Sequence, residues 1–249
     1  MHVQRFAPFV LLFSIPIFAV AQQPERSYSR LNTFSSFFEY SNDSSHIILG
    51  SAINRKIGSI GFQYQRRVVH RRPLDLFYEA EIRPGMIESD PMQQEVDIQT
   101  LPVPQTGGFN LGAVLRCTTQ TYSYSHINDT PTGPILYAGT VIETCPRRTV
   151  IEQGFAPAGL RLNLLPHHRL QLTFSSTGGY IFSTQEVPIP DAGSFNFTFD
   201  FGGGLEYFLS GTRSVRLEYQ VQHYSNKGTA DQNPGVDSGF LKLTYAFGR

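Results

Sequence analysis

From Thr33 onward, apolar and polar side chains alternate with a period of two, the spacing of strands whose successive side chains face opposite environments. Residues 195–209 show it most clearly: Phe195, Phe197, Phe199, Phe201, Gly203, Leu205, Tyr207 and Leu209 share one parity, and Asn196, Thr198, Asp200 and Glu206 the other. Over 214–226, Val215, Leu217, Tyr219 and Val221 oppose Arg216, Glu218, Gln220 and Gln222. Over 74–84, Leu74, Leu76, Tyr78, Ala80 and Ile82 oppose Asp75, Glu79, Glu81 and Arg83. Further strands are expected at 33–41, 56–67, 155–165, 168–182 and 237–247, about eight in all. Helical periodicity is scarcely found.

Strand length separates two kinds of alternating sheet. A soluble half-buried strand usually has about five or six residues, whereas a tilted strand crossing a bilayer needs about 9–11. These stretches have the longer length and a heavy aromatic load on the apolar face. The other face carries charges of both signs: Glu79, Glu81, Asp200, Glu206 and Glu218 against Arg83, Arg161, Arg169, Arg216 and Lys242. Unpaired, such groups would be costly inside a protein. Inside a small closed barrel they form a filled, ion-paired interior. The expected fold is therefore all-β, an eight-stranded antiparallel transmembrane barrel of the bacterial outer membrane.

Connection lengths agree with this. Residues 67–73, 165–168 and 210–213 are short turns, whereas 42–55, 85–154, 183–194 and 227–236 are longer, the known asymmetry of short periplasmic turns and long external loops. Residues 85–154 are expected as a long external loop of a single barrel domain spanning 22–249.

Composition narrows the reading. The 249 residues hold 20 basic and 20 acidic side chains, and the basic ones adjoin only as the pairs Arg55-Lys56, Arg66-Arg67, Arg71-Arg72 and Arg147-Arg148, too little for a grip on a phosphate backbone, so nucleic acid is not an expected partner. After residue 21 no apolar run is long enough for a spanning helix. Residues 1–21, with Arg5, an apolar stretch from Phe6 to Val20 and Ala19-Val20-Ala21 before Gln22, read as a cleaved signal peptide. In an exported chain the two cysteines, Cys117 and Cys145, are expected to form a loop-closing disulfide.

The chemistry gathers near the end of the chain. His223 and Ser225 continue the outward parity of Val215 to Val221, so an imidazole and a hydroxyl stand two residues apart on the lipid-facing side. His223 can act there as general base for a Ser225 nucleophile. Asp237 shares the outward parity of Leu241, Leu243, Tyr245 and Phe247, and is placed to orient the imidazole. Between them, the backbone of Gly228 and the amide of Asn233 offer donors for an oxyanion, and Asn226, of inward parity, suits loop support.

His223-x-Ser225-Asn226-x-Gly228 followed by Asn233-x-Gly235-x-Asp237 and a closing aromatic strand resembles the signature of the lipid A 3-O-deacylases, the PagL-type acyloxyacyl hydrolases. The resemblance implies an outer-membrane esterase that removes the acyl chain at the 3 position of lipid A and releases a 3-hydroxy fatty acid. It implies Ser225 as nucleophile, His223 as base and the acid at 237 as orienting group, with Gly228 and Asn233 as oxyanion donors. A known member of that family has Glu at the third position, one methylene longer than Asp237, so the strand offset must compensate. No metal or cofactor is implied. The partner is lipopolysaccharide of the outer leaflet, and a homo-oligomer is compatible with this.

Other features take plainer readings. Gly202-Gly203-Gly204 interrupts a strand and opens no helix, so it is not a phosphate cradle; outward Gly203 is expected to leave a groove for an acyl chain. His46 and His126 are expected in loops, and His167 and His168 in a periplasmic turn. A phospholipase-type esterase, a non-enzymatic structural barrel and a soluble lipocalin-type barrel are the alternative classes.

Overall fold

A computed structural model describes residues 28–249; the expected signal peptide lies outside them. The described residues form eleven strands: β1 (Asn32–Ser41), β2 (Lys56–Arg71), β3 (Leu74–Leu101), β4 (Gln105–Ala113), β5 (Gln120–Thr130), β6 (Gly133–Thr144), β7 (Arg147–Leu164), β8 (Leu170–Ser183), β9 (Phe195–Phe208), β10 (Arg213–Ser225) and β11 (Val236–Gly248). Eight of them close a ring, β1-β2-β3-β7-β8-β9-β10-β11 and back to β1, every pair antiparallel. Closure leaves no barrel edge with unpaired backbone groups, the condition for a sheet to cross a bilayer. The expected eight-stranded outer-membrane barrel is the fold observed.

Parity decides which side of the wall each residue takes. Outward positions such as Phe199, Leu217, Tyr219, Leu241 and Leu243 are exposed, and their polar neighbours are buried. In the interior Arg161 lies between Glu79 at 2.6 Å and Glu218 at 2.7 Å, and Arg83 bridges Glu39 at 2.8 Å and Asp200 at 3.0 Å. Lys242 meets Glu81 at 2.5 Å. Removing one member would leave an uncompensated buried charge, so the network closes the lumen and ties non-adjacent strands together. Arg169, expected on this interior face, is instead exposed in the turn before β8, where Nε donates to Phe208 O at 3.1 Å. The strand starts at Leu170, two residues later than expected.

The external end is built differently. Ala52, Ile57, Met86, Val150, Ile181, Tyr224, Val236 and Phe240 form a small apolar core there. Beside it the fully buried Arg55 donates to the carbonyls of Ile53, Val114, Leu115 and Pro188 at 2.7–3.1 Å. One guanidinium thus satisfies carbonyls from three separate connections and fixes them over the mouth.

The stretch expected as a long loop, 85–154, is largely sheet. β3 runs on to Leu101, and its outer part pairs with β4 on one edge and β6 on the other, with β5 beyond β6. Pro84-Gly85, taken as a strand end, is an irregularity that β3 passes through, with a register shift between Arg83 and Met86 against β7. His126, expected in a loop, lies on β5, its ring 5.4 Å from that of Tyr137 and 5.9 Å from that of Tyr124. Cys117, between β4 and β5, and Cys145, between β6 and β7, are joined, closing the β5–β6 hairpin of this four-stranded extension at its base.

Candidate active site

β10 and β11 pair in direct register, His223 opposite Asp237. The two side chains leave the same face of the wall at adjacent positions, so a short carboxylate is enough: His223 Nδ1 and Asp237 Oδ1 are 2.6 Å apart. That pairing places the proton on Nδ1 and leaves the Nε2 lone pair for a second partner. Ser225 is the next residue on that face, half-buried like His223. Its hydroxyl makes no hydrogen bond among the described residues, so the serine–histidine contact is open.

Asp237 is fully buried although its parity is outward, because the connection between β1 and β2 folds over it. Oδ2 accepts from the backbone N–H groups of Ile47, Ile48, Leu49 and Gly50 at 3.0, 2.5, 2.9 and 2.9 Å. Converging backbone N–H groups form an anion-binding nest and stabilise the carboxylate without any cation. Ser45 N also donates to Asp237 O at 3.0 Å. This part of the site escaped the sequence reading. The available signal was the run Ile47-Ile48-Leu49 followed by Gly50 inside the external connection 42–55.

The turn after Ser225 is held by Asn226, which is buried: Nδ2 donates to Ala192 O and Gln232 O, both at 2.6 Å, and Oδ1 accepts from Gly228 N at 2.8 Å. Gly228 N–H is therefore engaged within the loop. Asn233 accepts from Asn226 N through Oδ1 at 3.1 Å, and its Nδ2 has no partner among the described residues. Gly235, at φ +63°, lies flush against the imidazole; a Cβ there would stand 3.1 Å from His223 Cε1. On the inward side, Tyr224 sends its hydroxyl to Glu88 at 2.6–2.7 Å, pinning the segment between His223 and Ser225 to β3.

On the β9 side, Phe199 pairs with His223 and Phe197 with Ser225, both exposed. Beyond Phe199 a shallow apolar groove of about 400 Å³ runs between Tyr78, Ala158, Leu160 and Gly178. The groove expected at Gly203 is filled, since the Phe174 ring would lie 3.0 Å from a Cβ there. A larger groove of about 500 Å³, lined by Phe34, Phe62, Phe155 and Phe247, touches none of the site residues. The Lys227 ammonium stands 5.5 Å from the Phe197 ring. His46, expected as a solvated loop residue, braces the nest through Nδ1 and Gly50 O at 2.5 Å. Among the described residues no group of three or more metal-ligating side chains stands together.

These features define a closed outer-membrane barrel carrying a cluster of serine, histidine and aspartate on its lipid-facing wall. The model of the family described as lipid A 3-O-deacylase (PagL) matches residues 107–246, and the chain belongs to that family. It is thus a hydrolase acting on lipid A, with its lipopolysaccharide substrate in the outer membrane. Among solved structures the chain is similar to Neisserial surface protein A, at 10% identity over 88% of this chain and 97% of that one, TM-score 0.43. It is also similar to LpxR from Salmonella typhimurium, at 7% identity over 87% and 100%, TM-score 0.24. OmpT, an outer membrane protease from Escherichia coli, is similar at 10% identity over 88% and 95%, TM-score 0.25. No curated protein sequence matches the chain.

Proposed function

We propose that the protein is a metal-independent serine esterase that hydrolyses the ester at the 3 position of lipid A within the outer leaflet. The observation that carries this is the 2.6 Å contact between His223 and Asp237 on the lipid-facing wall, with Ser225 next on the same face.

Ser225 Oγ attacks the ester carbonyl as its proton passes to His223 Nε2, and Asp237 stabilises the imidazolium so formed. The Asn233 amide, with Nδ2 free, donates to the oxyanion, and Gly228 and Asn226 hold the loop that presents it. As the carbon–oxygen bond to the sugar breaks, His223 returns the proton to the departing 3-oxygen, leaving an acyl-serine. Water, deprotonated by His223, attacks that ester, and Ser225 recovers its proton as a 3-hydroxy fatty acid leaves. The open Ser225–His223 contact suits a site that closes when substrate is bound.

Position supports the substrate class. An acyl chain lying in the membrane plane reaches Ser225 past Phe197 and Phe199, with the groove at Gly178 and Ala158 beyond, while Lys227, in the turn after β10 with its ammonium 5.5 Å from the Phe197 ring, is near enough to meet an anionic saccharide. The test is mass spectrometry of purified lipid A after incubation with the refolded barrel and with Ser225→Ala. Loss of one 3-hydroxyacyl group from the 3 position, with the serine protein alone, is expected. Loss from another position, or equal loss with the variant, would sink the assignment.

A further inference from the structure

Residues 47–50 present two different faces. Their backbone N–H groups converge on Asp237 Oδ2, while the side chains of Ile47, Ile48 and Leu49 are 44%, 37% and 73% exposed. Three consecutive exposed apolar side chains would be unfavourable in water. Here they lie over an outward-facing residue of β11, in line with the exposed Leu241, Leu243 and Tyr245 of the same strand. Their surroundings are the lipid-facing wall.

Gly50 makes the close approach possible. A Cβ at that position would stand 2.5 Å from Asp237 N and 2.9 Å from Asp237 Cγ, and the backbone of a paired strand cannot yield. The flanks are tied down as well: Ser51 N donates to Pro234 O at 2.9 Å, and Ser44 bridges to Ser238. Between these ties the tip is held by the hydrogen bonds to Asp237, the His46 brace, a local bond from Ile47 N to Ser45 O at 3.0 Å and the surroundings of the three apolar side chains.

We infer that residues 46–50 are a lipid-seated clamp for the catalytic acid. Ile47, Ile48 and Leu49 sit in the acyl layer of the outer leaflet, and this seating keeps their backbone N–H groups on Asp237. They and Gly50 are positioning residues, acting on the reaction only through the carboxylate, and the site is fully set only at a lipid surface. The inference rests on the Ser225/His223/Asp237 reading.

A double-mutant cycle tests it. The full mature barrel is reconstituted into vesicles containing lipid A, folding is checked by heat-modifiable gel mobility, and kcat and KM are measured for Gly50→Ala and Leu49→Ser, each with Asp237 or Asp237→Asn. Gly50→Ala is expected to lower kcat by roughly tenfold or more, and Leu49→Ser by about threefold to tenfold, with KM within about twofold. Neither should reduce kcat further in the Asp237→Asn background, since the clamp then holds a group that no longer works. If Gly50→Ala does not fold, the exposed Leu49→Ser carries the test. Losses that multiply with that of Asp237→Asn, or a Leu49→Ser effect confined to KM, would overturn the clamp. Wild-type kcat for Asp237→Asn alone would instead overturn the reading on which it rests.

Discussion

Glu218 and Asp237 lie on paired strands, one turned into the barrel and the other onto its lipid-facing wall, and both are fully buried. Glu218 is held by two guanidinium groups, Arg161 at 2.7 Å and Arg216 at 2.8 Å. Among the described residues Asp237 meets no cationic side chain of fixed charge; backbone N–H groups hold one oxygen and an imidazole the other. A carboxylate neutralised by arginine has little left to offer a charge that appears during a reaction. One held by neutral dipoles keeps its charge for the imidazolium, so the interior network serves stability and the wall cluster is suited to chemistry.

The largest effect that would sharpen this contrast is on the wall. His223→Ala is expected to lower kcat on lipid A by on the order of 10⁴-fold, with the barrel still heat-modifiable. Asp237→Asn should cost about 10³ to 10⁴-fold, because the amide no longer stabilises the imidazolium; steady-state kinetics on the refolded protein measure both. Asn233→Ala should lower kcat by about a hundredfold with little change in KM, the mark of an oxyanion donor.

In the interior the expected loss is of stability. Arg161→Met leaves Glu79 and Glu218 without their shared partner and should destabilise the barrel by about 3–5 kcal/mol, read from its urea midpoint, while folded enzyme keeps its kcat. Equal damage to kcat in the folded fraction would erase the distinction between the regions. The smallest effect belongs to the extension. Cys117→Ser is expected to speed proteolysis within 85–154 and leave kcat within about twofold, because the disulfide ties the extension and touches no site residue.

Much of the barrel was legible because a membrane strand shows its two faces so clearly. Phe195 to Leu209 and Val215 to Val221 name lipid side and lumen side residue by residue, and the observed strands β9 and β10 start and stop within one residue of the expected bounds. The signal fades where strands leave the bilayer. Beyond Pro84 both faces of β3 become polar or mixed, so a strand of 28 residues read as the start of a loop. His223, Ser225 and Asp237 could be picked out because strand parity and pairing bring them to one spot. The nest could not be read in the same way, since backbone N–H groups carry no residue identity, and only the apolar run before Gly50 marked it. Likewise the engagement of Gly228 N–H by Asn226 depends on how the loop closes, which residue types leave open.

The most direct measurement is to expose the folded barrel to a long-chain phosphonate ester, a mimic of the tetrahedral intermediate, and map the adduct by peptide mass spectrometry. The account predicts one adduct, on Ser225, forming in wild type and lost in His223→Ala. An adduct on any other residue, or none from a folded barrel that deacylates lipid A, would contradict it.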